Sequence, residues 1–130
     1  MNSARNNEHA AIDMLTYWGY STRAQLGGNE NPGLWMVGGT LRLWERAGPG
    51  VIHNGLEACH TYGAGIDHAQ AVRCRTLLIL GERDIMTPVR YGRELADKIE
   101  GSQTTIVKGS AHSLMTERPD EVLDALITIV

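Results

Sequence analysis

The apolar positions change their rhythm partway along the chain. In the first half they recur at helical intervals: Ala11, Ile12, Leu15 and Trp18 predict a short amphipathic helix over about residues 8–19. Turn formers crowd the stretch GGNENPG (27–33) and break the chain there. Leu34, Val37, Leu41 and Trp44 then follow at intervals of 3, 4 and 3, predicting a second helix with Asn31 as its cap and Pro32 near its first position. Gly38 and Gly39 interrupt its middle, each costing about 1 kcal/mol against Ala unless close packing needs them. Ile52, Leu56, Cys59 and Gly63 predict a third helix, opened by Pro49. These stripes are brief and the loops between them glycine-rich, so the helices need another surface to pack on.

From about residue 74 the pattern becomes alternating strand and helix. Thr76–Leu80 (TLLIL) is a continuous apolar run of strand length, the mark of a strand covered on both faces. After the loop GERDIMTP, Thr87 is placed to cap a helix with Pro88 in its first turn and Tyr91, Leu95 and Ile99 on its buried face. Gly101 ends it, Thr104–Val107 (TTIV) predicts a second strand, and GSAHSLMTER reads as a loop. Pro119 opens the last helix, where Asp120 and Glu121 suit the positive end of the helix dipole. Val122, Leu126 and Val130 lie four apart, and Leu123 and Ile127 widen that stripe. Strand, helix, strand, helix is a parallel unit with a right-handed crossover. The expected fold class is therefore α/β, with a helical region over residues 1–73 followed by the parallel unit over 74–130.

Composition narrows the function. A chain of 130 residues suits one domain. With 12 Lys and Arg against 15 Asp and Glu, the net charge is −3, which leaves no basic surplus for nucleic acid. No apolar run approaches the length of a membrane span, and the polar start (MNSARNNE) shows no secretory signal, so a cytoplasmic protein without a membrane partner is expected. Cys59 and Cys74 form no disulfide framework, and with His53, His60 and His68 they match no zinc spacing, so no metal is expected. Gly38, Gly39, Gly63 and Gly65 follow no strand and make no phosphate-binding motif, which argues against a nucleotide site.

The candidate chemistry follows from strand order. Ligands of a parallel sheet gather beyond the carboxyl ends of its strands. Asp84 comes four residues after Leu80 and His112 five after Val107, so both sit in loops leaving one edge. Adjacent strands run about 4.8 Å apart, which makes an Asp–His hydrogen bond between the loops natural. Such a carboxylate fixes the imidazole tautomer and lets the other ring nitrogen act as a base. The plain alternative is that each is a turn former or a surface residue.

LLILGERDIMTP followed by GSAHSLMTERPDEVLDAL resembles the C-terminal end of the α/β-hydrolase fold. Gly81, Asp84 and Pro88 match the G-x-x-D-x-x-x-P segment of the family's triad acid. Gly109 and His112 match the G-x-x-H of its histidine, and Glu117, Arg118 and Pro119 supply the E-x-P that often follows. The resemblance covers about residues 72–130. NPGLWM and LEACHTYGAG look like the cap or lid that precedes this segment in many members. Arg75 stands where relatives place a proline, which alters only the entry to the strand.

The resemblance implies a nucleophile–Asp–His triad that hydrolyses an ester or similar small-molecule bond without a cofactor. Asp84 and His112 are its catalytic candidates here. Trp35, Met86, Leu114 and Met115 are candidate substrate-binding residues, with Trp44 a further possible wall of an acyl pocket. The family orders its triad nucleophile, acid, histidine, and no G-x-S-x-G elbow or variant occurs in this sequence. Ser3, Ser21, Ser102, Ser110 and Ser113 lack its glycine-flanked setting, and Cys59 falls mid-helix. The chain is thus expected to be a fragment supplying Asp84 and His112 only and inactive alone. A different class remains open. The edge of Thr76–Leu80 could serve a non-catalytic or split-enzyme module that self-associates or pairs with a missing N-terminal half.

Overall fold

A computed structural model describes residues 2–6, 8–28, 30 and 32–130, residues 2 and 3 by backbone alone. Among the described residues six helices come first: α1 (Asn2–Arg5), α2 (His9–Gly19), α3 (Thr22–Gln25), α4 (Met36–Glu45), α5 (Val51–Thr61) and α6 (Gly65–Ala69). The parallel unit follows as β1 (Leu77–Gly81), α7 (Val89–Ala96), β2 (Gln103–Val107), α8 (Leu114–Glu117) and α9 (Pro119–Ile127).

Helix α2 forms where the first stripe predicts it, burying Ala11, Ile12 and Leu15 against Ala4 and Ile52. Tyr20, Ala24, Met36 and Val37 make a second cluster, and Leu41 packs against both. Met86, from the loop after β1, packs on the first cluster and so ties the helices to the parallel unit.

The second helix differs from its prediction. It starts at Met36, because Pro32 and Gly33 form a turn with Gly33 at φ 82°, and Leu34 and Trp35 are left exposed. The predicted cap, Asn31, lies outside the described residues. Trp35 lies over Gly38 instead, where a Cβ would fall 2.1 Å from its ring. That contact explains the glycine in mid-helix. In the third helix Ile52 is buried, but Cys59 is exposed and Gly63 lies beyond the end.

Strands β1 and β2 pair in parallel, Leu77 opposite Gln103 and Gly81 opposite Val107. The continuous burial expected of the apolar run is not met: Leu77–Leu80 are each half-buried, since β2 is the one pairing partner of β1 among the described residues. Helix α7 packs so tightly on β1 that a Cβ on Gly92 would lie 2.5 Å from the Leu80 side chain. Its predicted face is only partly buried; Tyr91 points outward beneath the Arg90 guanidinium, 4.4 Å from the ring centre. Pro119 does open α9, but Val122 and Ala125 form its inner face while Leu123, Leu126, Ile127 and Val130 stay exposed. The loop read from GSAHSLMTER contains the short helix α8.

Gly81 is the tightest point of the unit. A Cβ there would sit 2.2 Å from the carbonyl oxygen of Ala111, so at this point the two loops leaving the sheet meet backbone to backbone. Gly81→Ala must push them apart, and urea denaturation should show a loss of about 1–3 kcal/mol.

Candidate active site

The register puts the ends of β1 and β2 side by side, and backbone hydrogen bonds then join the loops. Glu82 N–H donates to Val107 O (3.0 Å) and Arg83 N–H to Ser110 O (2.8 Å). Gly109 N–H donates to the Glu82 carboxylate (2.9 Å), reached through a left-handed turn with Gly109 at φ 73°. Ser110 is fully buried, its hydroxyl donating to Val107 O.

Within this frame Asp84 is 7% exposed. Its Oδ1 accepts the backbone N–H groups of Met86 and Thr87, both at 2.8 Å, which locks the carboxylate to its own turn. Oδ2 accepts the Thr87 hydroxyl at 2.7 Å and faces His112 Nδ1 at 2.9 Å. Thr87 therefore serves the acid rather than capping α7, whose cap position is taken by Pro88. Burial opposes ionisation of Asp84. The Thr87 backbone and hydroxyl bonds and the neighbouring His112 outweigh it and hold the carboxyl below its ordinary value.

An ionised carboxylate can only accept, so Nδ1 of His112 carries the proton. The Thr87 oxygen, 3.2 Å from Nδ1, shares that proton. The Nε2 lone pair is left free to act as a base. The imidazole is 44% exposed at its side chain and borders a cavity of about 410 Å³. Leu15, Trp44, Ile52, Leu56 and Met86 supply the apolar walls of that cavity, and Cys59 and Ser113 also line it.

The structure thus brings Asp84, His112 and Met86 together. Trp35, Leu114 and Met115 do not line the cavity; Trp35 and Met115 are about two-thirds exposed. Trp44, the further wall suggested by the sequence, does line it; Leu15, Ile52 and Leu56 join it from stripes that read as ordinary core, because a pocket wall and a core face share one periodicity. Thr87 and Glu117 also escaped notice as site residues. Glu117 is buried and bonds the backbone N–H of Ala111, next to His112.

Of the serines, Ser21 bonds Glu117, Ser102 bonds Ala96 O and Ser110 bonds Val107 O, while the Ser3 side chain lies outside the described residues. Cys59 and Cys74 are exposed free thiols, and among the described residues no three side chains gather as metal ligands.

A family model described as TAP-like protein matches residues 51–128, more than half of the chain. No curated protein matches it in sequence. A bromoperoxidase from Bacillus anthracis is similar over 98% of this chain and 45% of its own, at 19% identity and a TM-score of 0.82. An esterase from Exiguobacterium antarcticum is similar over 90% of this chain and 40% of its own, at 15% identity and a TM-score of 0.74. Est816, an N-acyl homoserine lactone degrading enzyme, is similar over 93% and 47%, at 21% identity and a TM-score of 0.70. The chain therefore spans less than half the length of these three structures. Likeness at such identities speaks for the fold alone.

The lowered pKa of Asp84 has a stability signature. A carboxyl depressed on folding stabilises above its unfolded value and loses that contribution as pH falls through the folded one. Asp84→Asn should cost about 1–3 kcal/mol at neutral pH. In urea titrations the gap between wild type and variant should stay constant down to about pH 5 and close below the ordinary value of 3.8.

Proposed function

The chain belongs to the α/β-hydrolase family and has a partial α/β-hydrolase fold, and from that premise we propose that it carries the acid–histidine half of a nucleophile–Asp–His site. The observation behind this reading is one hydrogen bond, Asp84 Oδ2 to His112 Nδ1 at 2.9 Å, beside an apolar cavity. Residues 74–130 form the end of the hydrolase core, and residues 1–73 form a lid whose helices α2, α4 and α5 wall the cavity.

His112 is the general base and then the general acid. Its Nε2 takes the proton of a nucleophile delivered from outside these 130 residues as that group attacks an acyl carbon. The same proton then passes to the leaving oxygen. Asp84 holds the tautomer and stabilises the imidazolium. The substrate is a small molecule with an ester or similar bond whose apolar group fills the cavity. Among the similar structures, one named as an esterase and one as an N-acyl homoserine lactone degrading enzyme are in keeping with that bond type. No cofactor takes part in these steps. No described helix is long and apolar enough to cross a membrane. The two free thiols suit the reducing interior of a cell, and a cytoplasmic location goes with the proposal.

A second reading draws on a separate observation. Half-buried Leu77–Leu80, the exposed Leu123 and Ile127 of α9 and Val130 beyond its end leave apolar surface without a described partner. This is a surface for pairing, either with a second polypeptide that brings the nucleophile or with a partner unrelated to catalysis.

Assays with short-chain nitrophenyl esters test the first reading. The chain alone should show no turnover above background. Refolded together with the nucleophile-bearing half of a structural relative, it should gain turnover that His112→Ala abolishes and Asp84→Asn lowers by roughly 10⁴-fold. Ester turnover that survives His112→Ala contradicts the assignment.

A further inference from the structure

Glu117 is the other deeply buried carboxylate near His112, and the proposed reaction leaves it without a role. It ends helix α8 and is 5% exposed. Its neighbour Arg118 pairs elsewhere, with Glu30 and, at 3.9 Å, with Glu121. The groups that bond Glu117 are hydrogen-bond donors from two distant parts of the chain. From the turn between α2 and α3, the Ser21 backbone N–H lies 3.2 Å from Oε1, and the Ser21 hydroxyl bonds Oε2. From the loop after β2, the Ala111 N–H donates to Oε1 at 2.9 Å.

The last of these donors belongs to the residue just before His112. On the other side of the histidine, Ser113 N–H donates to Gly19 O at 2.8 Å. His112 is thus held at both neighbours, and both tethers lead to the same short segment, Gly19 to Ser21. Gly19 leaves little room for adjustment, since a Cβ there would lie 3.3 Å from the Ser113 hydroxyl. Asp84 orients the imidazole from the acid side, but it acts on the ring and does not set the backbone from which the ring projects.

We propose that Glu117 is a positioning residue: by joining Ser21 to the Ala111 amide it fixes the His112 backbone against the lid, so that Nδ1 meets Asp84 while Nε2 stays at the cavity. The proposal rests on the reading of His112 as the base. It makes the α2–α3 turn, far from His112 in sequence, part of the apparatus that aligns it. A carboxylate is suited to the task because one group can accept from a hydroxyl and two backbone amides at once. A glutamine keeps the shape, but its NH₂ would face one of those donors.

The experiment is proton NMR of the 130-residue chain, following the low-field Nδ1–H resonance of His112 and hydrogen exchange at the Ala111 amide, in wild type, Glu117→Gln and Ser21→Ala. Circular dichroism establishes which variants are folded. In folded Glu117→Gln the Nδ1–H resonance should broaden or vanish and Ala111 exchange should quicken roughly tenfold or more. Ser21→Ala leaves the carboxylate and both amide donors in place and should shift both readouts the same way, by less. It decides the matter if Glu117→Gln does not fold, and it separates positioning from a mere change of charge. Variants that melt earlier yet keep the Nδ1–H resonance and slow Ala111 exchange would reduce Glu117 to a structural tie and overturn the proposal. A wild-type chain without the resonance would remove the Asp84–His112 reading itself, and this inference with it.

Discussion

The arrangement of the candidate site depends on the register of two short strands. Gly81 faces Val107, so both chains leave the sheet at the same height and their loops begin side by side. A shift of one residue would turn each side chain to the other face and separate Asp84 from His112. Several features guard that register. Gly81 lets Ala111 approach its backbone, and two backbone hydrogen bonds continue the pairing past the strand ends. The Glu82 carboxylate then closes the frame through Gly109. Within this frame the Asp84 and His112 side chains meet at 2.9 Å.

Burial then gives that bond its chemical character. Asp84 is withdrawn from water, which by itself would favour its neutral form, yet two amide N–H groups and a hydroxyl converge on it. A buried carboxylate satisfied in this way stays charged and holds the tautomer of the imidazole it meets. Glu117 is also buried and hydrogen-bonded, with another outcome. Its partners lie in segments 96 and 6 residues away, so satisfying its oxygens also joins the helical region to the histidine loop. Of the two buried carboxylates, one bonds the imidazole ring and the other the backbone beside it.

How much of this could be read beforehand depended on the kind of signal. The adjacency of Asp84 and His112 was legible because it needs only strand order and two short counts along the chain. The start of α9 was legible because Pro119 and the acids after it state a helix N-terminus chemically. Periodicity was less informative, because it shows that a face is apolar and not what covers it. Leu77–Leu80, Leu123 and Ile127 carry the pattern of buried residues and remain partly or largely exposed. Thr87 was hidden by an ambiguity of its hydroxyl, which can accept from a helix amide or donate to a carboxylate, and Asp84 lies nearer. Helix α8 is a single turn of four residues, too short to show any period.

The cavity joins these threads. An apolar space of about 410 Å³ within a small chain gives up dispersion contacts that its walls would otherwise make. The helices around it would gain by closing in. Helix α2 is restrained from doing so at its C-terminal end, where Gly19 and the following Ser21 are fastened to Ser113 and Glu117. Across the space, Met86 is fixed through its amide to Asp84. The same bonds that flank His112 therefore also brace the cavity beside it. The space and the imidazole at its rim are held here by one set of hydrogen bonds, so the position of the His112 loop and the shape of the pocket are tied to each other.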